Sequence, residues 1–579
     1  MNPIYQVTVN RRSDQLQEVN SNEFIFGFNP SSKLFAYAHE ITQEFSEPPC
    51  EPRLLDFLEL MSVIFYSDKV CKRGYREEWA RDINISISLR DEARFRLIEQ
   101  DLKFALQVLG GDNFSFEVCS TRPREAISQP NIVPARREVE FTDVVLVSGG
   151  QDSMIGGVAA LQEARRPFFL KVNTKDKVGF ERILNRLTAY GGVEALGFQQ
   201  PTISFPRDWT IERTQRLRSV YFLGLGAAFC KHESLDRLYI NENGVMAVHL
   251  PLDLSRSSTF STRTAYPLYL SLFQDICRRW LSMPKFEIRN DHLFRTKGEV
   301  VGLYTELDSA ALLKETYSCA HAAIVQRTDR QNSRNRIFEG ESSDLHCGYC
   351  FPCLLRRVSM SSQGLSEIDV KYLANPFRFL DKFENSKHDS AMEGRSAVLG
   401  LMGFARKINS SSSDQLVSEY FQIEECVFAT GESHIKFVEL HRRFAAEIFD
   451  YVDKNESRYK YLLDNESSIN AAKSVRTSIG SEVVSKAFRP YPGLVWTQPF
   501  ENQLGKAFNE SKLRIQTGIA NGQIDEQKIV EMIRSAASPE IAANPSEVVL
   551  KQAEGFSTRS RLRTYCDQGL CYPLTQRGK

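Results

Sequence analysis

The sequence predicts an α/β protein built on an open, doubly wound parallel sheet, with an α+β region before the sheet and a mostly helical region after it. Three observations predict this class. From Phe141 to about Met360, short apolar strand-like runs alternate with helix-like runs, the pattern of a parallel sheet covered by helices on both faces. Val144 to Val147 is an unbroken apolar run, which suits a strand buried on both sides. The 579 residues are too many for one ordinary domain and enough for two to four.

In chain order, Tyr5–Val9 alternates like a strand, Leu54–Phe65 has helical apolar spacing, and Ile83–Leu89 alternates again. Phe95–Leu109 reads as a helix that stops at Gly110-Gly111, and Phe114–Val118 as another strand. These pieces make an N-terminal α+β domain over residues 1–120, a scaffold or partner-binding surface, with Cys50, Cys71 and Cys119 as packing residues. Residues 121–140, with several prolines and arginines, form a linker. The sheet domain spans residues 141–365. After its first strand come a strand at Pro167–Asn173, a helix over Phe180–Tyr190, a helix over Arg216–Cys230 and a strand at Arg237–Asn241. A helix over Leu268–Trp280 and a short strand at Phe286–Arg289 complete it. Residues 366–579 read as mainly helical, with an apolar stripe at Phe437, Leu440, Phe444, Ile448 and Tyr451. Ser410–Ser413 and Asn465–Ser468 read as connectors, and the basic end with Cys566 and Cys571 as a surface tail.

The stretch that organises the chain is Ser148-Gly149-Gly150-Gln151-Asp152-Ser153, between the apolar strand and a helix. Two glycines there can take positive φ and carry no Cβ to hold a ligand away. Such a turn points successive backbone N–H groups and two hydroxyls at one spot, which suits a pyrophosphate. It is not a Walker A loop, because no Gly-Lys-Ser/Thr follows. Nor is it the Rossmann fingerprint, whose nearest match, Gly224-Leu-Gly226, has Phe229 in place of the third glycine.

A second pattern is Cys347-Gly348-Tyr349-Cys350-Phe-Pro-Cys353. Three thiols at this spacing converge on one metal, and a closed tetrahedral zinc site needs a fourth ligand. Cys319 is the best candidate, with His321 and His346 as alternates; an iron–sulfur cluster fits the same donors. Such a closed site folds a loop and does not activate water.

Ser148–Ser153 resembles the S-G-G-x-D-S signature of PP-loop ATP pyrophosphatases, which adenylate a substrate and release pyrophosphate. Together with the cysteines it resembles the QueC-like 7-cyano-7-deazaguanine synthases, over roughly residues 141–360. The matching pieces are Ser318-Cys319, Cys347-Gly-Tyr-Cys350-Phe-Pro-Cys353-Leu-Leu-Arg356, and Thr296-Lys297-Gly298-Glu299-Val-Val301, in the family's order. The resemblance implies a PP-loop/HUP-like sheet, ATP, Mg²⁺ and Zn²⁺. It implies a 7-carboxy-7-deazaguanine substrate whose carboxyl is adenylated and then joined to an amine. Ammonia would give the amide and then the nitrile; a protein amine would give an amide-linked deazaguanine.

The implied roles fall on named residues. Ser148, Gly149, Gly150, Gln151 and Ser153 would cradle pyrophosphate, and Asp152 would hold Mg²⁺. Arg218 and Lys297 would neutralise phosphate charge. Glu242 and Asn243, at a strand end, would bind nucleobase or metal, and Arg263 with Thr264 would read the deazaguanine. Three departures stand out: the long polar insert from Ala320 to His346, the foreign flanking regions, and Ser261-Thr-Arg263-Thr264-Ala-Tyr266-Pro267 in place of the family's Gly-Tyr-Pro-Asp segment. The overall layout is similar to the QueC-like component of bacterial anti-phage operons, which implies protein partners from the same operon.

Lys+Arg and Asp+Glu both number 73, so no global basic field attracts nucleic acid. No stretch approaches the ~18 apolar residues of a membrane helix, and no secretory pattern opens the chain, so the expected compartment is the cytoplasm. Two rival readings are a PP-loop tRNA thiolase and a non-catalytic nucleotide-binding scaffold.

Overall fold

The structure, a computed structural model, describes residues 4–10, 17–27, 52–73, 80–120, 140–171, 187, 212, 216–248, 263–305, 313–321, 345–377, 389–416 and 432–454. It is a mixed α/β protein with parallel sheets. Most of the expected helix at Phe180–Tyr190, the linker, most of the Ala320–His346 insert, Asn465–Ser468, the basic tail and Cys50 lie outside the described residues.

The first sheet has five strands: β1 (Ile4–Asn10), β2 (Gln17–Asn20), β3 (Glu23–Gly27), β4 (Asp82–Leu89) and β5 (Asn113–Ser120). Their order is β2-β3-β1-β4-β5, parallel except for the β2–β3 hairpin. One face is apolar: Tyr5, Val7, Ile83, Ile85, Phe114 and Phe116 are buried. The other carries Gln6, Asn84, Ser115 and Glu117, joined in a ladder of side-chain hydrogen bonds. Against the apolar face pack α1 (Pro52–Val70) and α2 (Glu92–Gly110). Asp91 caps α2, its carboxylate accepting from Arg94 N–H, and Gly111 ends it in the left-handed conformation. Cys71 is buried as expected, but Cys119 is exposed, because the alternation of β5 turns it to the polar face beside Ser88.

The second sheet has four parallel strands, β6 (Asp143–Leu146), β7 (Pro167–Leu170), β8 (Arg237–Ile240) and β9 (Glu287–Arg289), in the order β7-β6-β8-β9. Val144, Phe168, Leu170, Leu238, Ile240 and Ile288 face one core with α4 (Arg218–His232) and α6 (Pro267–Trp280). Val145, Phe169 and Tyr239 face another with α3 (Gln151–Gln162) and α7 (Lys297–Thr305). Between α4 and α6 lies the short α5 (Gly244–Val248). Alternate residues of each strand therefore meet opposite helix layers, which is why these runs are apolar without a break.

The two sheets share a helix double layer, α1 packing on α4 and α2 on α6. Polar contacts cross it: Trp280 Nε1 donates to Arg53 O at 2.9 Å, and Arg94 Nη1 to Arg279 O at 2.9 Å. Beyond α7 come α8 (Phe351–Ser362), α9 (Asp389–Ser410), α10 (Ser413–Leu416) and α11 (Glu432–Lys454). The apolar stripe of α11, including Phe437, Leu440, Phe444 and Ile448, is buried core. Among the described residues no helix is long and apolar enough to cross a membrane.

Candidate functional site

The chain leaves β6 to one side to make β7 and returns on the other side for β8. In such a sheet the crevice opens beyond the carboxyl ends of the two strands flanking that reversal. The segment after β6 is Val147–Gly150, and the one after β8 is Asn241–Asn243. Both expected site segments therefore open at one place.

The turn after β6 is held by its own hydroxyls. Ser148 N–H donates to Ser153 Oγ at 3.1 Å, the two serine oxygens lie 3.0 Å apart, and Gly150 N–H donates to Ser148 Oγ at 3.2 Å. Gly149 takes φ +90°, a value L side chains rarely adopt, so glycine is needed there. Gly150 is the N-cap of α3. The first turn of α3 carries Gln151, Asp152 and Ser153, all buried.

Asp152 is the hub. Its Oδ2 accepts from Lys297 Nζ at 2.7 Å and from Asn243 Nδ2 at 3.1 Å. Its Oδ1 is buried without a hydrogen-bond partner among the described residues. Glu242 sits beside this pair: burial first, and the Asp152 charge second, push its carboxyl up to about 8. Burial pulls the Arg218 guanidinium below its ordinary value, and Glu242 opposes that shift. Glu242 N–H donates to Asn290 Oδ1 at 3.3 Å, and so does His292 N–H at 3.2 Å.

Asn290 and His292, just after β9, are site residues that sequence reasoning missed. Both are buried, and Asn290 Nδ2 and both ring nitrogens of His292 have no hydrogen-bond partner among the described residues. Burial holds His292 neutral by pulling it down to about 4, against the opposing charge of Asp152. The same orphan state marks Asn241 Nδ2, after β8. The signal available in sequence was position alone: Asn-Asp-His at the carboxyl end of a short strand.

Arg263 and Thr264 are placed differently from the other expected residues. Arg263 Nη1 donates to Val108 O at 2.7 Å, at the end of α2, and its guanidinium lies over the Tyr266 ring. Thr264, half-buried, makes none of the contacts that join Asp152, Asn243 and Lys297.

The cysteines converge. Cys319, Cys347, Cys350 and Cys353 are all buried, with sulfurs within 4.8 Å of one another. Tetrahedral zinc with Zn–S bonds of about 2.3 Å places its sulfurs about 3.8 Å apart; here Cys347 and Cys353 are 3.8 Å apart and Cys350 and Cys353 3.3 Å. The four can hold a metal ion such as zinc, and Cys319 is the fourth donor. Neither alternate, His321 nor His346, is in this group of mutually close donors, and His346 Nε2 accepts from Ser318 N–H at 3.1 Å.

The cysteine loop also braces the glycine turn. Arg356, fully buried on α8, donates to Thr316 O, Thr316 Oγ1 and Leu313 O and pairs with Asp369 at 2.7 Å. Next to Thr316, Tyr317 N–H donates to Gly149 O at 2.9 Å. Gln151 Nε2 reaches Met360 Sδ on the same helix. No protein-family model matches the chain, and no curated protein matches it.

Proposed function

We propose that the chain is an ATP-dependent ligase of the PP-loop type, acting on the QueC-like pattern. It adenylates the carboxyl of 7-carboxy-7-deazaguanine and couples the acyl group to an amine, in an anti-phage setting with protein partners from the same operon. One observation supports this above the others. Asp152 Oδ1, Asn241 Nδ2, Asn290 Nδ2 and both His292 nitrogens are buried and unpaired, and they collect at the carboxyl ends of three adjacent strands. Buried polar groups are ordinarily more than 90% paired, so such a cluster beside a glycine turn and a helix N-terminus fits a polar ligand bearing phosphates.

The residues then divide the work. The turn Ser148–Gly150 and Ser153 bind pyrophosphate, exchanging their mutual hydrogen bonds for bonds to phosphate oxygens. Asp152, whose free oxygen suits a hard cation, would hold Mg²⁺ with Glu242, and that ion would draw charge from the phosphates. Lys297 and Arg218 place positive charge where the α-phosphate gains negative charge. A substrate carboxylate oxygen attacks the α-phosphorus and pyrophosphate leaves with the bonding electrons. The amine nitrogen then attacks the acyl carbon; AMP leaves, and the nitrogen gives up a proton. Asn243 keeps the Asp152 carboxylate oriented through both steps.

The test is pyrophosphate release with ATP, 7-carboxy-7-deazaguanine and an amine, comparing wild type with Asp152→Ala. Release that depends on the acid substrate and falls at least ~100-fold in the variant supports the reading. No release under any combination of ammonia and partner proteins would sink it in favour of a nucleotide-binding scaffold.

A further inference from the structure

Lys297 is the first residue of α7, and the cap of that helix is reciprocal. Thr296 N–H donates to Glu299 Oε2 at 2.9 Å, and Glu299 N–H donates to Thr296 Oγ1 at 3.0 Å. The Lys297 side chain leaves from between the two members of this box, so whatever fixes the box fixes where its ammonium can reach.

Each member is held a second time by α11. The Thr296 hydroxyl donates to Glu447 Oε1. Arg443 Nε donates to Glu299 Oε1 at 2.5 Å, and its Nη2 donates to Phe294 O at 2.8 Å. The fit is close: a Cβ on Gly298 would meet the Glu447 carboxylate and the Ser362 hydroxyl, and both side chains would have to shift. The same helix reaches the opposite wall of the crevice. A Cβ on Gly244, the residue after Asn243, would lie 2.6 Å from Leu440 Cδ2. One face of α11 thus carries Leu440, Arg443 and Glu447 against both segments that supply partners to Asp152.

We infer that Arg443 and Glu447 are positioning residues for Lys297. Neither touches Asp152; they act by locking the Thr296–Glu299 cap, so that Lys297 Nζ stands 2.7 Å from Asp152 Oδ2. An ammonium at the end of four methylenes has many rotamers, and a shift of its Cα by about 1 Å can cost ~100-fold in a reaction that needs it. Helix α11 is therefore part of the crevice wall, and a partner that moves α11 would act on Lys297. The effect on catalysis rests on the function proposed above; the positioning itself does not.

The experiment separates the two. Lys297 is labelled in the full-length protein with an amine-acylating reagent and read by mass spectrometry, together with amide exchange, in wild type, Arg443→Ala, Glu447→Ala and Glu447→Gln. The expected result is Lys297 labelling at least ~10-fold faster and faster exchange confined to residues 296–301 in both alanine variants. Glu447→Gln keeps an acceptor oxygen for Thr296 and stays near wild type. Pyrophosphate release should show kcat falling about 10-fold in Arg443→Ala with KM for ATP little changed. Unchanged labelling in both alanine variants, or exchange that rises across the whole chain, overturns the inference. A wild type that releases no pyrophosphate would sink the enzymatic reading while the labelling still decides the positioning.

Discussion

Gly149 holds φ at +90° while its carbonyl accepts from Tyr317 N–H, so the residue that shapes the glycine turn is tied to the cysteine loop. A side chain there is strained whatever space surrounds it. Gly149→Ala should cost about 1–2 kcal/mol of stability and lower pyrophosphate release at least ~10-fold, measured by thermal unfolding and by the release assay; an alanine variant with wild-type turnover would show that the turn is not used. Ser148–Ser153 was legible in sequence because a glycine turn needs a fixed spacing between strand and helix. Lys297 and Asp152 were legible separately, but their pairing across 145 positions was not. Asn290 and His292 were marked in sequence by position alone, because being unpaired is a property of the packed crevice and not of the residue type. The bond from the Arg263 guanidinium to Val108 O, at the end of α2 and 155 positions away, was not legible either.

Elements carry the next level of control. α8 begins at the last two cysteines and delivers Arg356 to the segment before Tyr317, so a metal held by the four cysteines would stabilise the glycine turn from a distance. Purified protein should contain about one zinc per chain, and Cys353→Ser should lose it and several kcal/mol of stability with it, with thermal unfolding and metal analysis as the measurements. Retention of stoichiometric metal in the variant would remove Cys353 from the site. α11 makes a pH prediction. His441 is fully buried, its Nδ1 2.7 Å from Phe437 O, and burial pulls it from 6.5 to about 4, with Arg443 adding to the shift. The unfolded chain then binds a proton that the folded chain does not. The stability it contributes is full above pH 6.5 and is lost as pH falls toward 4, by up to ~3 kcal/mol. His441→Gln should flatten that limb of the Tm–pH curve; an unchanged slope would mean that the imidazole is already protonated in the fold. The helical period of α11 was readable from its apolar stripe. Its packing of Arg443 and the buried Glu447 against α7 was not, since charged residues on such a helix usually face water.

At the largest scale, the described residues are joined more tightly than their two larger sheets suggest. The sequence divides residues 1–120 from 141–365 at a proline-rich stretch, yet α1 and α2 bury their outer sides against α4 and α6 in one continuous core. Beneath that layer lies a buried ion cluster. Asp112 pairs with Arg73 at 2.5 Å and with Arg81 at 2.7 Å, and Asp68 pairs with Arg81 at 2.6 Å. Burial would raise the Asp112 carboxyl, but Arg81 and Arg73 hold it at about 2. The cluster reaches the neighbouring sheet through the residues just before α4: Leu217 N–H donates to Asp68 Oδ2 at 3.4 Å, and Arg216 Nη1 to Gly110 O at 2.9 Å. Arg218, whose charge acts on Glu242, follows directly. The N-terminal region therefore sets the start of the helix that brings Arg218 to the site. Removing one partner from a buried ion cluster leaves the others uncompensated, at a cost of about 3–5 kcal/mol. If the two sheets were independent, Asp112→Asn would lower only an N-terminal transition in calorimetry. Because they share a core, a single transition should carry both sheets, and Asp112→Asn should shift all of it, lowering nucleotide binding in parallel. Two separated transitions, with only one moved by the variant, would show that the double helix layer is a contact between domains and not a common core.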